Sequence, residues 1–469
     1  MRPKSSRVQV LGLWLGPLLA LAAYLGSSLA GLNPKASLTA SITMLCAVWW
    51  IFEPIPIPVT SLLPFALFPF AGVLDHKTVA TAYGHHLILL LMGGFLLSTA
   101  MESSGAHRRV AMTMLKVFGG RNRHRVIAGF MVATAFLSMW ISNTATVLMM
   151  IPVAGAILEQ DKEKSFVRAL LLGLAYSASI GGMGTLVGTP PNIVFSGIFR
   201  EETGREVGFA SWMLIGIPVV VVLLPLAWFF LTRRLSRGRE LTIPDLLPAT
   251  KKEKRVLFVF AWTILLWVTR SAPFGGWADL LGMRGVGDSS IVLQSVIMMF
   301  LIPDGEGERL LDWETAKKIP WGLLLLFGGG IAIARAFLAS GLSDALGNGL
   351  SGLADLPAFW MTFLLCLGVT FLTEVTSNTA TTTLLMPVLA AAAKAASIEP
   401  ALLMVPAALS ASCAFMLPVA TAPNAIVFGT GRISTKEMAR AGMILNVIFA
   451  LVLTLLCLLL VPTVFDSLG

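Results

Sequence analysis

Ser142-Asn143-Thr144-Ala145-Thr146 and Ser377-Asn378-Thr379-Ala380-Thr381 are one pentapeptide written twice in the same chain. A proline follows each serine by ten residues, Pro152 and Pro387. A Thr-x-Pro-Asn run then follows each copy: Thr189-Pro190-Pro191-Asn192 and Thr421-Ala422-Pro423-Asn424. Weaker marks keep the same offset of about 235 residues. They are Leu91-Met92-Gly93-Gly94 with Leu326-Phe327-Gly328-Gly329, Ser104-Gly105 with Ser340-Gly341, and Leu74-Asp75 with Leu311-Asp312. A common offset is the trace of an internal duplication. A polar, uncharged motif set twice in an apolar chain points to a two-sided binding site at the junction of repeats, the usual construction of a secondary transporter.

Composition sets the class. Apolar residues make up 56% and charged residues 13% of the 469 residues, and the mean hydropathy is +0.83. Runs such as 218–231 and 444–461 carry no charge. A hydrocarbon core about 30 Å thick needs about 20 apolar residues per helix, so the chain can cross many times. A water-soluble fold of this composition would expose too much apolar surface. Cys46, Cys366, Cys413 and Cys457 are scattered through apolar runs without metal or redox spacing and read as small core residues. The first apolar run lacks a small-x-small cleavage site and reads as an uncleaved span.

The net charge of +9 is not spread as a nucleic-acid surface would need, so no nucleic-acid partner is expected. Six clusters hold 26 of the 34 Lys and Arg residues: Arg2 to Arg7, Arg108 to Arg125, Lys162 to Arg168, Arg233 to Arg255, Arg309 to Lys318 and Arg432 to Arg440. The positive-inside rule puts all six in the cytoplasm. The expectation is an all-α polytopic membrane protein of about 11 transmembrane helices plus two re-entrant hairpins. Crossings are read near 8–30, 36–52, 57–74, 87–102, 168–198, 209–231, 256–270, 288–302, 321–340, 399–428 and 438–463. A basic amphipathic stretch near 105–122 lies along the inner surface. Segments 124–158 and 358–393 enter and leave by the same side, each with a Ser-Asn-Thr near its tip. Counting alternations places the N-terminus in the cytoplasm and the C-terminus outside, with the two repeats inverted.

Ser-Asn-Thr and Thr-x-Pro-Asn are residue types that interrupt helices and free backbone groups. Bare backbone at membrane depth is tolerated only where it is buried in protein or lines a cavity. Such tips offer N–H groups and positive helix ends to anions, and carbonyl and hydroxyl oxygens to a hard cation. No Lys or Arg lies in either tip or either turn. An anion taken into a low-dielectric site needs its charge offset, and co-bound cations are the available source.

These residues resemble the divalent anion/sodium symporter family of di- and tricarboxylate transporters. The likeness covers nearly the whole chain, including the Glu53-Pro54-Ile55-Pro56 break. It implies sodium-coupled uptake of C4-dicarboxylates (succinate, malate, fumarate) or related di- and tricarboxylates across the inner, cytoplasmic membrane, by a protein that is not an enzyme. It implies a first sodium site from Ser138, Ser142, Asn143 and Gly188, and a second from Thr373, Asn378 and Ala420, partly through backbone carbonyls. Substrate carboxylates are implied to meet Asn143, Thr144, Thr189, Asn378, Thr379 and Thr421. It further implies a homodimer with an elevator movement. The scaffold would be 1–122 and 256–356, the transport parts 123–231 and 357–469, and 232–255 a basic cytoplasmic loop.

This chain departs from the family at Ala422, where a second proline is usual, and Thr376 is bulkier than the small residue expected beside the second motif. Glu374 reads equally as a functional intramembrane carboxylate or as a group facing water at the hairpin mouth. Arg335 reads as support inside the scaffold, and His85, His86, His107 and His124 as interfacial or loop residues. Trp49-Trp50 reads as an interface anchor or core packing. Competing functions are a sodium-independent dicarboxylate exchanger on the same fold and a transporter of tetrahedral oxyanions, which a two-ended site suits less well. An integral-membrane enzyme finds no support: there is no Gly-x-Ser-x-Gly elbow, no His-Glu-x-x-His and no pair of aspartates within spans.

Overall fold

The computed structural model describes residues 7–120, 122–236, 238, 240–243, 248–271, 276–349 and 356–465. The start of the first basic cluster, Arg121, parts of the 232–255 loop and the extreme C-terminus lie outside the described residues. Among those described, the chain forms helices and no strand. In the first half they are α1 (Arg7–Leu29), α2 (Pro34–Phe52), α3 (Ile57–Thr60), α4 (Leu63–Phe70), α5 (His76–Tyr83), α6 (His86–Ser104), α7 (Ala106–Phe118), α8 (Arg123–Ser138), α9 (Asn143–Leu158), α10 (Lys164–Gly182), α11 (Pro190–Thr203) and α12 (Phe209–Thr232). In the second half they are α13 (Lys251–Val268), α14 (Gly276–Leu280), α15 (Asp288–Leu301), α16 (Trp313–Ala316), α17 (Trp321–Ser340), α18 (Leu342–Gly349), α19 (Ala358–Thr373), α20 (Asn378–Ala395), α21 (Ala401–Ser410), α22 (Ala422–Gly429) and α23 (Thr435–Phe465).

Matched residues in the two halves do matched local work. Asp75 caps α5, accepting from the backbone N–H of Lys77 and Thr78. Asp312 caps α16 and accepts from the N–H of Thr315. Side-chain oxygens at helix N-caps take up orphan N–H groups in this way. Gly105 and Gly341 both end their helices in the left-handed region, at φ 74° and 78°, where a side chain is costly and glycine is not. The double glycines serve close approach. A Cβ on Gly93 would lie 2.4 Å from Val292 of α15, and one on Gly328 would lie 2.5 Å from Tyr83 of α5.

One expected crossing is built differently. Residues 57–74 are not a single helix but the short pair α3 and α4 with a turn between. The prolines of the run, Pro56, Pro58, Pro64 and Pro69, limit helix propagation, because proline lacks an N–H and clashes with the preceding turn. Upstream, α2 stops at Glu53, which sits at φ 46°, followed by Pro54.

Seven helical stretches among the described residues are long and apolar enough to cross a bilayer: α1, α2, α5 with α6, α10, α12, α17 and α23. Exposed large apolar side chains recur on several of them, such as Leu18 on α1, Val221 on α12 and Leu459 on α23. This is the surface a bilayer covers. The halves interlock by exchange: α9 packs on α22, and α11 packs on α20. Each helix that follows a Ser-Asn-Thr tip therefore meets the short helix that follows the other half's Thr-x-Pro-Asn turn.

Candidate functional site

Each Ser-Asn-Thr opens a helix. Ser142 is the N-cap of α9, and its Oγ accepts from the N–H of Ala145 at 3.2 Å. Ser377 is the N-cap of α20, with Oγ accepting from Ala380 at 3.4 Å. The asparagine that follows is tied back to the preceding helix. Ser138 Oγ donates to Asn143 Oδ1 at 2.5 Å, and Thr373 Oγ1 donates to Asn378 Oδ1 at 2.6 Å. The two rungs span the same five residues and use the same chemistry. Thus Ser138 is brought together with Asn143, and Thr373 with Asn378.

Each Thr-x-Pro-Asn opens a short helix after a non-helical run. Thr189 caps α11, and Thr421 caps α22, its Oγ1 accepting from the N–H of Asn424. Prolines at the first positions cost nothing there, since those N–H groups have no partner within the helix. The terminal asparagines are clamps, a role that sequence reasoning missed. Asn192 Nδ2 donates to the carbonyls of Gly182 and Thr185, and Asn424 Nδ2 to those of Ala414 and Leu417. Both asparagines are fully buried. Their identical place in the two repeats was the available signal.

Glycine makes room for an oxygen cluster in the first half. A Cβ on Gly188 would sit 2.5 Å from the Gly182 carbonyl oxygen and 3.0 Å from that of Met139. One on Gly182 would sit 3.0 Å from Asn143 Oδ1. Thr185 Oγ1 donates to the Met139 carbonyl and accepts from Gly188 N. Crowded neutral oxygens of this kind suit a hard monovalent cation. In the second half, Thr373 Oγ1 also bonds the Ala411 carbonyl at 3.0 Å.

All four helix starts open on one cavity of about 760 Å³. Its wall includes Asn143, Thr144, Thr189, Asn378, Thr379 and Thr421, together with Ser142, Gly188 and Ala420. Ser138 and Thr373 stand behind the asparagines they bond and are not in the wall. The N-termini of α9, α11, α20 and α22 each bring partial positive charge, roughly half an elementary charge for a regular helix. The wall also holds Glu53, Glu102 and Glu374 against a single cation, Lys318. Three carboxylates less one ammonium give the wall a formal charge of −2. Lys318, an exposed residue just before α17, is a basic group that the motifs themselves did not contain.

Glu374 lines the cavity, but its carboxylate is held by protein donors and does not stand in open water. It is 3% exposed. Its Oε1 accepts from the N–H of Phe415 and Met416 and from Asn446 Nδ2, and its Oε2 from the N–H of Leu417, all between 2.7 and 3.0 Å. A carboxylate with four donors is stable at depth. It binds the turn between α19 and α20 to the non-helical run between α21 and α22. In the first half the matching position is Met139, where only the backbone carbonyl makes the equivalent tie. Thr376 turns its hydroxyl to Thr381 Oγ1 and the Leu372 carbonyl.

Other residues fall away from the cavity. Arg335 bonds Glu201, Thr78 and Thr81. His85 caps α6. Trp50, by contrast, is buried in the cavity wall and donates to Ser61 Oγ. The four cysteines are buried and free. Among the described residues no three His, Cys, Asp or Glu side chains are grouped to hold a metal.

Comparison with known proteins gives a consistent result. The family model for citrate transporters matches residues 47–405. The sodium-dependent dicarboxylate transporter SdcS of Staphylococcus saprophyticus is 42% identical, over 97% of this chain and 92% of that protein. Its counterpart in Staphylococcus aureus is 41% identical over the same shares. Two solved transporters share the fold. The Alcanivorax borkumensis YdaH transporter superposes with a TM-score of 0.58 at 14% identity, covering 81% of this chain and 86% of that one. Neisseria gonorrhoeae MtrF gives 0.54 at 11% identity, covering 91% and 94%.

Proposed function

Because this chain belongs to the citrate transporter family, we propose that it is a sodium-coupled secondary transporter of the cytoplasmic membrane. It imports C4-dicarboxylates such as succinate, malate or fumarate, or closely related di- and tricarboxylates. The observation that carries this reading is the convergence of both Ser-Asn-Thr caps and both Thr-x-Pro-Asn caps on one cavity. An anion with a charged group at each end meets one asparagine–threonine pair from each half. The net negative wall argues for co-bound cations, since a dianion entering alone would be repelled as well as desolvated. Asn143 with Ser138, Ser142 and Gly188 holds one sodium ion, and Asn378 with Thr373 and Ala420 the other.

The wider arrangement belongs to the same proposal. The repeats are inverted, α8–α9 and α19–α20 are re-entrant hairpins, the N-terminus is cytoplasmic and the C-terminus external. Residues 123–231 and 357–469 move as a transport unit against a scaffold of 1–122 and 256–356, in a homodimer. The reciprocal packing of α9 on α22 and α11 on α20 supports a pseudo-twofold construction.

Lys318 in the cavity wall favours one competing reading, sodium-independent exchange with a fixed basic residue as counter-charge. Uptake of labelled succinate into proteoliposomes separates the two. An inward sodium gradient is expected to drive uptake that potassium or choline does not support. Equal uptake in sodium-free buffer, needing only an internal dicarboxylate, would replace symport by exchange.

A further inference from the structure

Two features sit at opposite ends of the same helices. The cavity wall takes Glu102 from near the end of α6 and Lys318 from just before α17. His85, just before α6, and Arg335, far along α17, lie 17 residues from these, or about 25 Å along a helix. At that far end Arg335 Nε and Nη2 donate to the two carboxylate oxygens of Glu201, each at 2.9 Å. Its remaining Nη1 donates to the Thr78 carbonyl at 3.1 Å and to Thr81 Oγ1 at 2.6 Å. His85 Nε2 lies 3.5 Å from Glu201. Arg335, Thr78, Thr81 and His85 belong to the scaffold part, and Glu201 to the transport part.

We propose that the Arg335–Glu201 pair is a latch that fastens the transport unit to the scaffold on the side opposite the cavity mouth and so populates the state with the cavity open to the cytoplasm. This rests on the reading above, in which the basic ends of α6 and α17 face inward and the two units move. Helix α11 begins at Thr189 in the site and ends beside Glu201. It is a rod with the ligand at one end and the latch at the other, so any shift of Thr189 along the helix axis shifts Glu201 as well. The pair is shielded, with side chains 20% and 16% exposed, and a bidentate geometry of this kind keeps value that exposed pairs lose. By contrast Lys394–Asp344, which also joins the units, is 69% and 66% exposed. Thr78 and Thr81 hold the guanidinium in place when Glu201 leaves, so the latch can close again without reordering Arg335. A contact made in only one of two states shifts their populations by its differential energy.

Val419 tests this directly. It lines the cavity and is 83% exposed, and the four native cysteines are buried. Labelling of Val419→Cys by a membrane-impermeant maleimide, in choline buffer without carboxylate, reports how often the cavity is open. In vesicles of known sidedness, labelling is expected from the cytoplasmic side. Adding Glu201→Gln is expected to slow it by about threefold or more, and Arg335→Gln by a similar factor. The double variant should slow it no further than either single one, as for partners in one interaction. Thr81→Val, which keeps both charges and only loosens Arg335, should act in the same direction by a smaller factor if the charge variants fold poorly. Unchanged labelling, or effects that multiply in the double variant, would overturn the latch. Sodium dependence of uptake is measured separately, so loss of the transport reading and loss of the latch give different results. Labelling only from the external side would reverse the orientation, while the change in rate still judges the latch.

Discussion

At the scale of single residues, each asparagine of the repeated motif does two things. Asn143 and Asn378 receive a hydroxyl from the preceding helix and face the shared cavity. Asn143→Ala and Asn378→Ala are each expected to remove a charge-assisted hydrogen bond worth about 1.5–3 kcal/mol. Succinate uptake should fall at least tenfold in each, with folded yield retained on size exclusion. Normal uptake in both would make the motifs purely structural. Glu202, beyond the apolar part of α11, carries a different signal. Burial, reinforced by Glu201 and Asp344 and opposed by Lys394, pushes its pKa up to about 7, and its Oε1 has no hydrogen-bond partner. A carboxyl whose folded pKa is raised contributes stability below its unfolded value of about 4.3, and loses it as pH rises through the folded value. The melting temperature in detergent should therefore decline between pH 5 and pH 8, and Glu202→Gln should flatten that decline. An equal slope in the variant would assign the pH dependence elsewhere.

At the scale of elements, the second unwound run differs from the first in two ways. Glu374 fastens it with a carboxylate where the first half uses only backbone and threonine. It also carries Ala422 where the first half has Pro190. Ala422 is the first residue of α22 after the cap Thr421, a position where proline is at home. Ala422→Pro is therefore expected to fold, and its fixed φ stiffens the wall beside Thr421. A few-fold change in relative inhibition of succinate uptake by citrate, malate and fumarate is expected, equivalent to about 1 kcal/mol. An unchanged ranking with unchanged potencies would free Ala422 of any part in selectivity.

At the scale of the whole molecule, the distribution of charge and the path of the helices make one claim about orientation. Lys162 opens the cluster Lys162 to Arg168 that runs from the loop after α9 into α10, whereas the turn between α14 and α15 lies at the opposite end of α15 from the basic run 309–318. Lys162 and Met283 are both exposed. Lys162→Cys should be reached by an impermeant maleimide only from the cytoplasmic face, and Met283→Cys only from outside. The reverse pattern would invert the topology and with it the direction in which the cavity opens.

Reading the chain alone was enough for the class, the matched marks of the two halves and the caps that open on the cavity, because these rest on local rules. Apolar run length, cap chemistry and a constant offset act within a few residues of where they are read. Ser142 and Ser377 cap helices, and Gly105 and Gly341 end them, as their residue types require. The short helices of 57–74 were legible in principle from their prolines, although the apolar run concealed them. What only the tertiary structure decided concerns partners far apart in sequence. Glu374 found three amides 41 to 43 residues away, Arg335 found Glu201 across 134 residues, and Lys318 joined a wall built by both halves. A carboxylate or guanidinium has the same local propensity whether it meets ligand, water or a backbone amide. Its role is set by which donors and acceptors the packed helices bring within about 3 Å, and that information is not local.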